Sequence, residues 1–241
     1  MAVSVEISHV QKQFRKHIVL QDISLTVEKG KIFGMIGPSG CGKTTLIKVM
    51  VGMLKADQGQ VTVLGKPVPQ FDLIEKIGYM AQSDALYTDL TGNENLQFFA
   101  KLYHLSKKQR AEKIAYAAEV VQLKDDLKRK VQDYSGGMKR RLSLAIALIQ
   151  NPEILILDEP TVGIDPALKK MIWMELERLR DKEQKTIFIT THVMDEAEKC
   201  DELALMREGK ILTQGTPKKL KTAFDADNFD DVFLKAGGYQ A

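Results

Sequence analysis

The sequence predicts an α/β fold, with a buried, mainly parallel sheet, helices on both of its faces and a helical block inserted into the chain. Three patterns favour this fold. Residues 31–36 form an apolar run that leads through a glycine-rich stretch into a helical pattern. Residues 154–157 are apolar on both faces, and residues 91–122 repeat apolar side chains at helical spacing. With 241 residues, 44% of them hydrophobic, the chain can bury one substantial core.

Two half-buried strands are predicted near the N-terminus. Apolar residues alternate with polar ones over residues 3–7 and again over residues 19–27. Phe14 falls in a polar stretch between them, which we interpret as a loop. Its ring is either a small satellite of the core or a platform on which a nucleotide base stacks, and its neighbours do not decide between the two.

The glycine-rich stretch has the strand–turn–helix context of a phosphate-binding P-loop; the alternative is an ordinary glycine-rich turn. Its backbone N–H groups and the positive end of the following helix dipole would attract a polyphosphate. Lys43 would reach the β- and γ-phosphates, and the Thr44 hydroxyl would coordinate Mg²⁺. The candidate binding residues are Gly37, Pro38, Ser39, Gly40, Cys41, Gly42, Lys43, Thr44 and Thr45.

Cys41 lies inside this loop, beside Lys43 and at a helix N-terminus, and both features lower the pKa of a thiol. We therefore expect Cys41 to be the more reactive cysteine, because the carboxylates around Cys200 should raise the pKa of that thiol. The alternative is that Cys41 is packed under the loop and is inert.

After the P-loop helix, which is predicted to end near Gly52, short strands are expected over residues 60–64 and 74–80. Gln82 follows the second of these strands. Taken alone, a glutamine at a strand end is most simply solvated.

An all-helical subdomain, about residues 88–150, is predicted to be inserted into the α/β core. Thr91 and Glu94 have the spacing of a capping box at its first helix, and a second helix is expected over residues 107–122.

The last helix of this subdomain opens with Ser135, Gly136 and Gly137. Ser135 is a natural N-cap, and the two glycines let a ligand approach the first N–H groups of the helix. This is either a plain helix cap or a second helix N-terminus built to hold an anion. One P-loop binds one triphosphate, so a second anion site needs an explanation.

Two carboxylates, Asp158 and Glu159, follow the buried strand that begins at residue 154. The carboxyl end of such a strand is where open α/β sheets bind ligands. Asp158 suits a Mg²⁺ ligand, direct or through water, and Glu159 can hold and deprotonate a water molecule.

The C-terminal third is predicted to add a helix over residues 167–180, a strand over residues 186–191 and a hairpin around Gly209. Trp173 is expected to pack in the core. His192 comes just beyond the strand, either as a cap for the next helix or at the ligand edge of the sheet.

The composition favours a protein that works in a reducing cytosol. The two cysteines have no metal-type spacing and imply no disulfide framework. No apolar run reaches the length of a membrane span, and no signal peptide is expected. A net charge of +3 does not indicate a nucleic-acid partner. Three basic clusters are interpreted as solvated faces: Lys107-Lys108-Gln109-Arg110, Lys139-Arg140-Arg141 and Lys218-Lys219-Leu220-Lys221.

These motifs, in this order, resemble those of the ATP-binding subunits of ABC transporters over roughly residues 3–220. The resemblance implies one domain over residues 1–241. It would comprise a P-loop NTPase core with a mixed, mainly parallel sheet, an N-terminal antiparallel β subdomain, the inserted helical subdomain and a short tail at 221–241. The implied cofactors are ATP and Mg²⁺. The implied partners are a second ATP-binding subunit, in a homodimer or heterodimer formed across ATP, and a separate transmembrane permease. The permease would hold the chain at the cytoplasmic face of the cell membrane.

The same resemblance assigns roles to the candidate residues. Phe14 would stack on adenine, with Val19 beneath the base. Ser135, Gly136 and Gly137 would cap the γ-phosphate held by the other subunit's P-loop, which accounts for the second anion site. Cofactor contacts are also implied for Gln82 and for Asp165, in the D-loop motif. Catalytic roles fall to Lys43, Gln82, Glu159 and His192, and the metal ligands are Thr44, Gln82 and Asp158.

Details within the motifs, such as Gly163-Ile164-Asp165-Pro166, are similar to those of the exporter branch called ABC-2 type. Four residues, Phe14, Ala81, Tyr134 and Met138, depart from the general pattern, but none of these changes removes a catalytic group. The main alternative is a soluble ATPase of the same family that serves no transporter, such as an iron–sulfur assembly ATPase. A small P-loop kinase would need neither Ser135 nor His192.

Overall fold

The computed structural model describes residues 2–83 and 85–238, and their strands form two sheets. In chain order the strands are β1 (Val3–Phe14), β2 (His17–Glu28), β3 (Ile32–Ile36), β4 (Gln58–Val63), β5 (Lys66–Pro67), β6 (Ile77–Met80), β7 (Ile154–Asp158), β8 (Thr186–Thr191), β9 (Glu202–Arg207) and β10 (Lys210–Gly215).

The central sheet has the order β10-β9-β3-β8-β7-β6. Strand β10 runs antiparallel to β9, whereas the other pairings are parallel. The second sheet has the order β2-β1-β4-β5 and is antiparallel. The predicted fold class, a mixed and mainly parallel sheet with an N-terminal antiparallel part, is thereby confirmed.

The helices form in segments whose apolar residues recur at helical spacing. They are α1 (Lys43–Met50), α2 (Gly92–Leu102), α3 (Lys107–Val120), α4 (Gly136–Leu148), α5 (Pro166–Glu183), α6 (Pro217–Ala223) and α7 (Phe229–Ala236). Thr91 forms the expected capping box with Glu94, and Ser106 forms a second one with Gln109. These boxes satisfy N–H groups that a helix start would otherwise leave unpaired.

Two apolar clusters cover the two faces of the central sheet. Alternate residues of β3 point to opposite clusters, as the pleat of a strand requires, so Ile32 packs on one side and Phe33 on the other. The helices α2–α5 and the C-terminal α7 contribute to the first cluster, and α1 and the antiparallel sheet contribute to the second. Trp173 is buried in the first cluster, as the sequence predicts. Within the described residues, no helix has both the length and the apolar character needed to cross a membrane.

Two elements differ from the sequence prediction. Phe14 is the last residue of β1 rather than part of a loop, because β1 pairs with β2 through a tight turn and with β4 on its other side. Pairing in the β1–β2 hairpin, up to Phe14 with His17, overrides the low strand propensity of the polar residues before Phe14. In the stretch 74–80, only Ile77–Met80 is a strand, and it follows a short 3₁₀ turn at Phe71–Leu73.

Candidate nucleotide-binding site

The loop between β3 and α1 is shaped by glycines at positions where no other residue fits. A Cβ on Gly37 would collide with the backbone carbonyl of Met206. Gly42 has φ +115° and lies so near β2 that a Cβ would stand 2.9 Å from the carbonyl oxygen of Val19. The loop therefore turns tightly and leaves the first N–H groups of α1 facing outward, which is the arrangement that binds an anion.

Lys43 is the first residue of α1, and its side chain is folded over the loop. The ammonium Nζ donates to the carbonyl oxygens of Gly37 at 2.6 Å and Pro38 at 3.1 Å, and it lies 3.7 Å from Oε1 of Glu159. The side chain is 5% exposed. A buried ammonium held by loop carbonyls and one carboxylate is placed where a phosphate bound by the loop would meet it.

Asp158 ends β7 and is fully buried. Its Oδ1 accepts a hydrogen bond from the Thr190 hydroxyl at 2.5 Å, whereas Oδ2 has no hydrogen-bond partner within the described residues. A buried carboxylate oxygen left unpaired costs free energy unless a ligand satisfies it. Mg²⁺, which prefers carboxylate and hydroxyl oxygens, fits this atom.

Thr44 and Gln82 supply two more oxygens for such a metal. The Thr44 hydroxyl lies 3.5 Å from Oε1 of Gln82, which follows β6 and is exposed. This contact brings the start of α1 and the end of β6 together, so two of the predicted metal ligands are neighbours.

Glu159 comes directly after Asp158 and turns its carboxylate towards two positive or protonatable groups. Its Oε1 lies 3.2 Å from Nδ1 of His192 and 3.7 Å from Nζ of Lys43. The parallel pairing of β7 with β8 explains this convergence, because both strands end at the same edge of the sheet. His192 is partly exposed, so the pair faces the space beyond that edge.

Phe14 and Val19 lie on the β1–β2 hairpin, and Val19 adjoins the loop. The Phe14 ring is 46% exposed, and Nζ of Lys12 stands 5.5 Å from its centroid. Val19 is partly buried, with its carbonyl oxygen against Gly42. An exposed ring on the hairpin that adjoins a phosphate loop can take a stacked base.

The other predicted anion site lies at the start of α4. The Ser135 hydroxyl accepts from the N–H of Met138 at 3.2 Å and caps the helix, and Gly136 is exposed. A Cβ on Gly137 would stand 3.0 Å from the carbonyl oxygen of Gly163, so this helix start adjoins the turn before Asp165. Asp165 is exposed and caps α5 by accepting from the N–H of Leu168 at 3.0 Å.

The expectation that the pKa of the Cys41 thiol is lowered is wrong, whereas the order of reactivity of the two cysteines stays a prediction. The residue is 5% exposed, and burial raises the pKa of its thiol although Lys43 acts in the opposite direction. Desolvation of a thiolate outweighs one nearby ammonium here. Cys200 is also buried, and burial together with Glu196 and Asp201 raises the pKa of its thiol.

A water-soluble maleimide should therefore modify both cysteines of the folded protein slowly. We expect rates at least about tenfold below those of the unfolded chain, because little thiolate is present and access is poor. Intact-mass spectrometry over a time course, with and without guanidinium chloride, measures this. Rapid labelling of Cys41 in the native protein would contradict the prediction.

The interpretation of Lys139-Arg140-Arg141 as a solvated face is also wrong. Arg140 is 7% exposed and donates to backbone carbonyls of the site. Arg141 is partly buried and donates to the carbonyl oxygens of Val121 and Gln122. The signal was available in the sequence, because the residues after Arg141 are almost all apolar, and a helix apolar on all sides is buried on all sides.

Glu196 was not predicted from the sequence either. It is fully buried after His192, and its Oε1 accepts from the Thr161 hydroxyl at 2.5 Å and from Nζ of Lys169 at 2.8 Å. Burial alone would raise the pKa of this carboxyl, but the hydrogen bonds from Lys169 and Thr161 outweigh it and lower the pKa. Glu196 thus holds the segment that carries His192 against the turn after Glu159.

Together these residues form a cradle for a polyphosphate, with a carboxylate oxygen open to a metal and a second carboxylate beside a histidine. This arrangement suits the transfer of a phosphoryl group to water, in which the protein positions the reactants and stabilises charge.

Comparisons with known proteins agree with this chemistry. The family model described as ABC transporter matches residues 20–162. The Nod factor export ATP-binding protein I of Rhizobium sp. (strain N33) is 39% identical over 221 residues, which span 90% of this chain and 72% of that protein. The solved structure of an ATP-binding subunit of an ABC transporter has a TM-score of 0.89 at 22% identity, and the match covers 97% of this chain and 99% of that one. A dimeric ATP-binding cassette in a post-hydrolysis state with ADP and Pi has a TM-score of 0.82 at 24% identity, and covers 88% of this chain and 98% of that one.

Proposed function

The chain belongs to the ABC transporter family as an ATP-binding subunit with ATPase activity, and we propose that it is the motor of an ABC-2 type exporter. Similarity to a Nod factor export ATP-binding protein supports the exporter part of this proposal. The position of the Glu159 carboxylate supports ATP hydrolysis. It lies between Lys43 and His192, at the edge of the sheet where the P-loop also ends. A base in that place can act on a water molecule next to the terminal phosphate of a bound nucleotide.

In this proposal the chain's own groups divide the work. The N–H groups of the loop and the Lys43 ammonium bind the phosphates, and Phe14 and Val19 receive the adenine. Glu159 orients and deprotonates the attacking water. His192 holds the Glu159 carboxylate in place and contacts the γ-phosphate. Gln82 senses the bound metal and nucleotide.

Mg²⁺ fits the site through Asp158, Thr44 and Gln82. The unpaired, buried Oδ2 of Asp158 supports this, as does the contact between Thr44 and Gln82. The ion would neutralise charge on the β- and γ-phosphate oxygens. These residues accept it with oxygen atoms, the ligand type that Mg²⁺ requires.

The exposed start of α4 is proposed to complete a second subunit's site. Ser135, Gly136 and Gly137 present N–H groups and a hydroxyl at the surface, where the γ-phosphate held by a partner's P-loop would be capped. Asp165 would lie in the same interface. The dimeric state of a related cassette supports a dimer closed around two ATP molecules. That partner is either a second copy or a related subunit.

A separate membrane subunit would dock in the apolar groove beside Gln82. The groove has a volume of about 480 Å³ and runs between the core and the helices of residues 88–150, which we propose as the inserted helical subdomain. Its lining includes Met53, Ile74, Tyr79 and Phe99. An exposed apolar groove of this kind marks an interaction site. Docking there would place the chain at the cytoplasmic face of the membrane.

A related soluble ATPase, such as an iron–sulfur assembly ATPase, would use the same catalytic residues without a membrane subunit. Affinity-tagged protein purified from detergent-solubilised cells distinguishes the two. We expect a polytopic membrane protein to accompany the wild type, and Ile74→Glu to lose it at least about tenfold, because a charge would be buried in an apolar contact.

The matched control is Met174→Glu on α5, since Met174 is 58% exposed and Ile74 is 56% exposed. This control should retain the membrane protein. A soluble scaffold complex in place of the membrane protein would contradict the exporter proposal, while ATPase activity would still stand.

A further inference from the structure

Arg140 lies in the first turns of α4, and its guanidinium reaches two separate parts of the nucleotide site. The Nη1 group donates to the carbonyl oxygens of Ala81 at 2.6 Å and Gln82 at 2.9 Å. The Nη2 group donates to the carbonyl oxygens of Asp158 and, at 2.8 Å, of Glu159, and Nε also lies 3.3 Å from the latter. One buried side chain therefore binds the backbone of two segments, 81–82 and 158–159, and each segment carries a predicted metal ligand.

The backbone that Arg140 binds at Glu159 is in an unfavourable conformation. Glu159 has φ 52°, the left-handed region that a residue with a Cβ adopts only at a cost in free energy. Its N–H donates to the hydroxyl and carbonyl oxygens of Thr190, each at 3.1 Å, while its carbonyl oxygen accepts from Arg140. The peptides on both sides of this residue are thus fixed, and the fixed backbone sets the direction of the carboxylate.

A purely structural role for Arg140 would be to satisfy buried carbonyls. Arg141 shows what that role looks like, because it donates to the carbonyl oxygens of Val121 and Gln122, which directly follow α3. Arg140 differs in its targets, which are the residues that carry the predicted base and metal ligands. Only a planar guanidinium presents donors in enough directions to reach both segments at once.

We propose that Arg140 is a positioning residue, which holds the strained Glu159 backbone so that the carboxylate faces the attacking water and ties the Gln82 segment to the same helix. This rests on the proposed function of Glu159 as base. Because Ser135 caps the start of α4, the helix that would cap the partner's nucleotide is also joined to its own subunit's base.

The test compares Arg140→Gln and Arg140→Lys with Arg141→Gln. We expect Arg140→Gln to lower kcat for ATP by about 10²-fold, because a misplaced catalytic group costs about that much. The KM for ATP and the affinity for a fluorescent ATP analogue should change less than about threefold, since the P-loop does not depend on Arg140. Arg140→Lys keeps the charge but not the planar guanidinium with its several N–H donors, and should lose at least about tenfold in kcat.

A double-mutant cycle with Glu159→Gln separates positioning from general damage. If Arg140 acts through Glu159, the double variant should be no slower than Glu159→Gln alone, within about threefold. Circular dichroism and thermal unfolding of every variant show whether the fold is retained. Arg141→Gln should lose stability without losing kcat.

Unchanged kcat in both Arg140 variants, or additive losses in the cycle, would overturn the proposal. So would failure of both variants to fold, which would make Arg140 a residue needed for folding only. An inactive wild type, or a Lys43→Ala variant as active as wild type, would instead contradict the proposed ATPase site and leave no base to position.

Discussion

Replacing Glu159 with Gln is expected to stop steady-state ATP hydrolysis while leaving ATP bound. The substitution keeps the size of the side chain but removes the carboxylate that lies 3.2 Å from His192. Loss of a general base costs about 10²–10⁴ in rate. The loop that binds the phosphates is unchanged, so the variant should hold uncleaved ATP and accumulate as a closed dimer.

Size-exclusion chromatography with light scattering, in the presence of Mg²⁺ and ATP, measures this result. Glu153→Gln is the control, because Glu153 is a surface carboxylate paired with Lys76 at 3.1 Å and should leave both turnover and mass unchanged. A Glu159→Gln variant that stays monomeric at high protein concentration, beside an active wild type, would show that either the base or the shared site is misassigned.

Replacing Lys43 with Ala is expected to abolish turnover for a different reason. Its ammonium is the group that the structure places among the P-loop carbonyls Gly37 and Pro38, next to Glu159. Without it the phosphates lose a charge-assisted contact, worth about 1.5–3 kcal/mol, and the carboxylate loses its nearest ammonium. The variant should bind ATP at least about tenfold more weakly, as measured by equilibrium titration with a fluorescent analogue, and should not dimerise.

Mixing Lys43→Ala with Ser135→Arg tests whether each site is shared. In a mixed dimer both defects fall in one site, and the other site combines an intact P-loop with an intact helix start. Activity should therefore return towards half that of wild type, although each variant alone is inactive. No recovery on mixing, together with hydrolysis strictly proportional to protein concentration, would indicate a self-contained monomeric site.

Local patterns were enough to predict the central sheet and the residues at its carboxyl edge. The run before Gly37 and the run before Asp158 are apolar at every position, which is typical of strands covered on both faces. Since parallel strands end at one edge, the sequence alone places Glu159 and His192 at the ligand edge of the sheet.

The errors arose where the outcome depends on distant parts of the chain. Cys41 has the local features of an activated thiol, but the loop packs against Met206 of β9 and the turn at Gly209, and the thiol is buried. Arg140 has charged neighbours typical of a surface, but its partners are 18 to 59 residues away. When remote segments bury a polar group, the residues next to it in the sequence show little sign of it. The apolar run after Arg141 was the one usable signal.

The hydrogen bonds of Arg140 described above all end on main-chain oxygen atoms. A main-chain oxygen is present whatever amino acid occupies the position, so mutation of the side chains at 81 and 82 leaves these contacts available. Side chains of the segment that lines the proposed docking groove can then be replaced while the backbone of the site keeps its shape. Ala81, one of the residues that depart from the general family pattern, accepts from Arg140 through its carbonyl oxygen in this way.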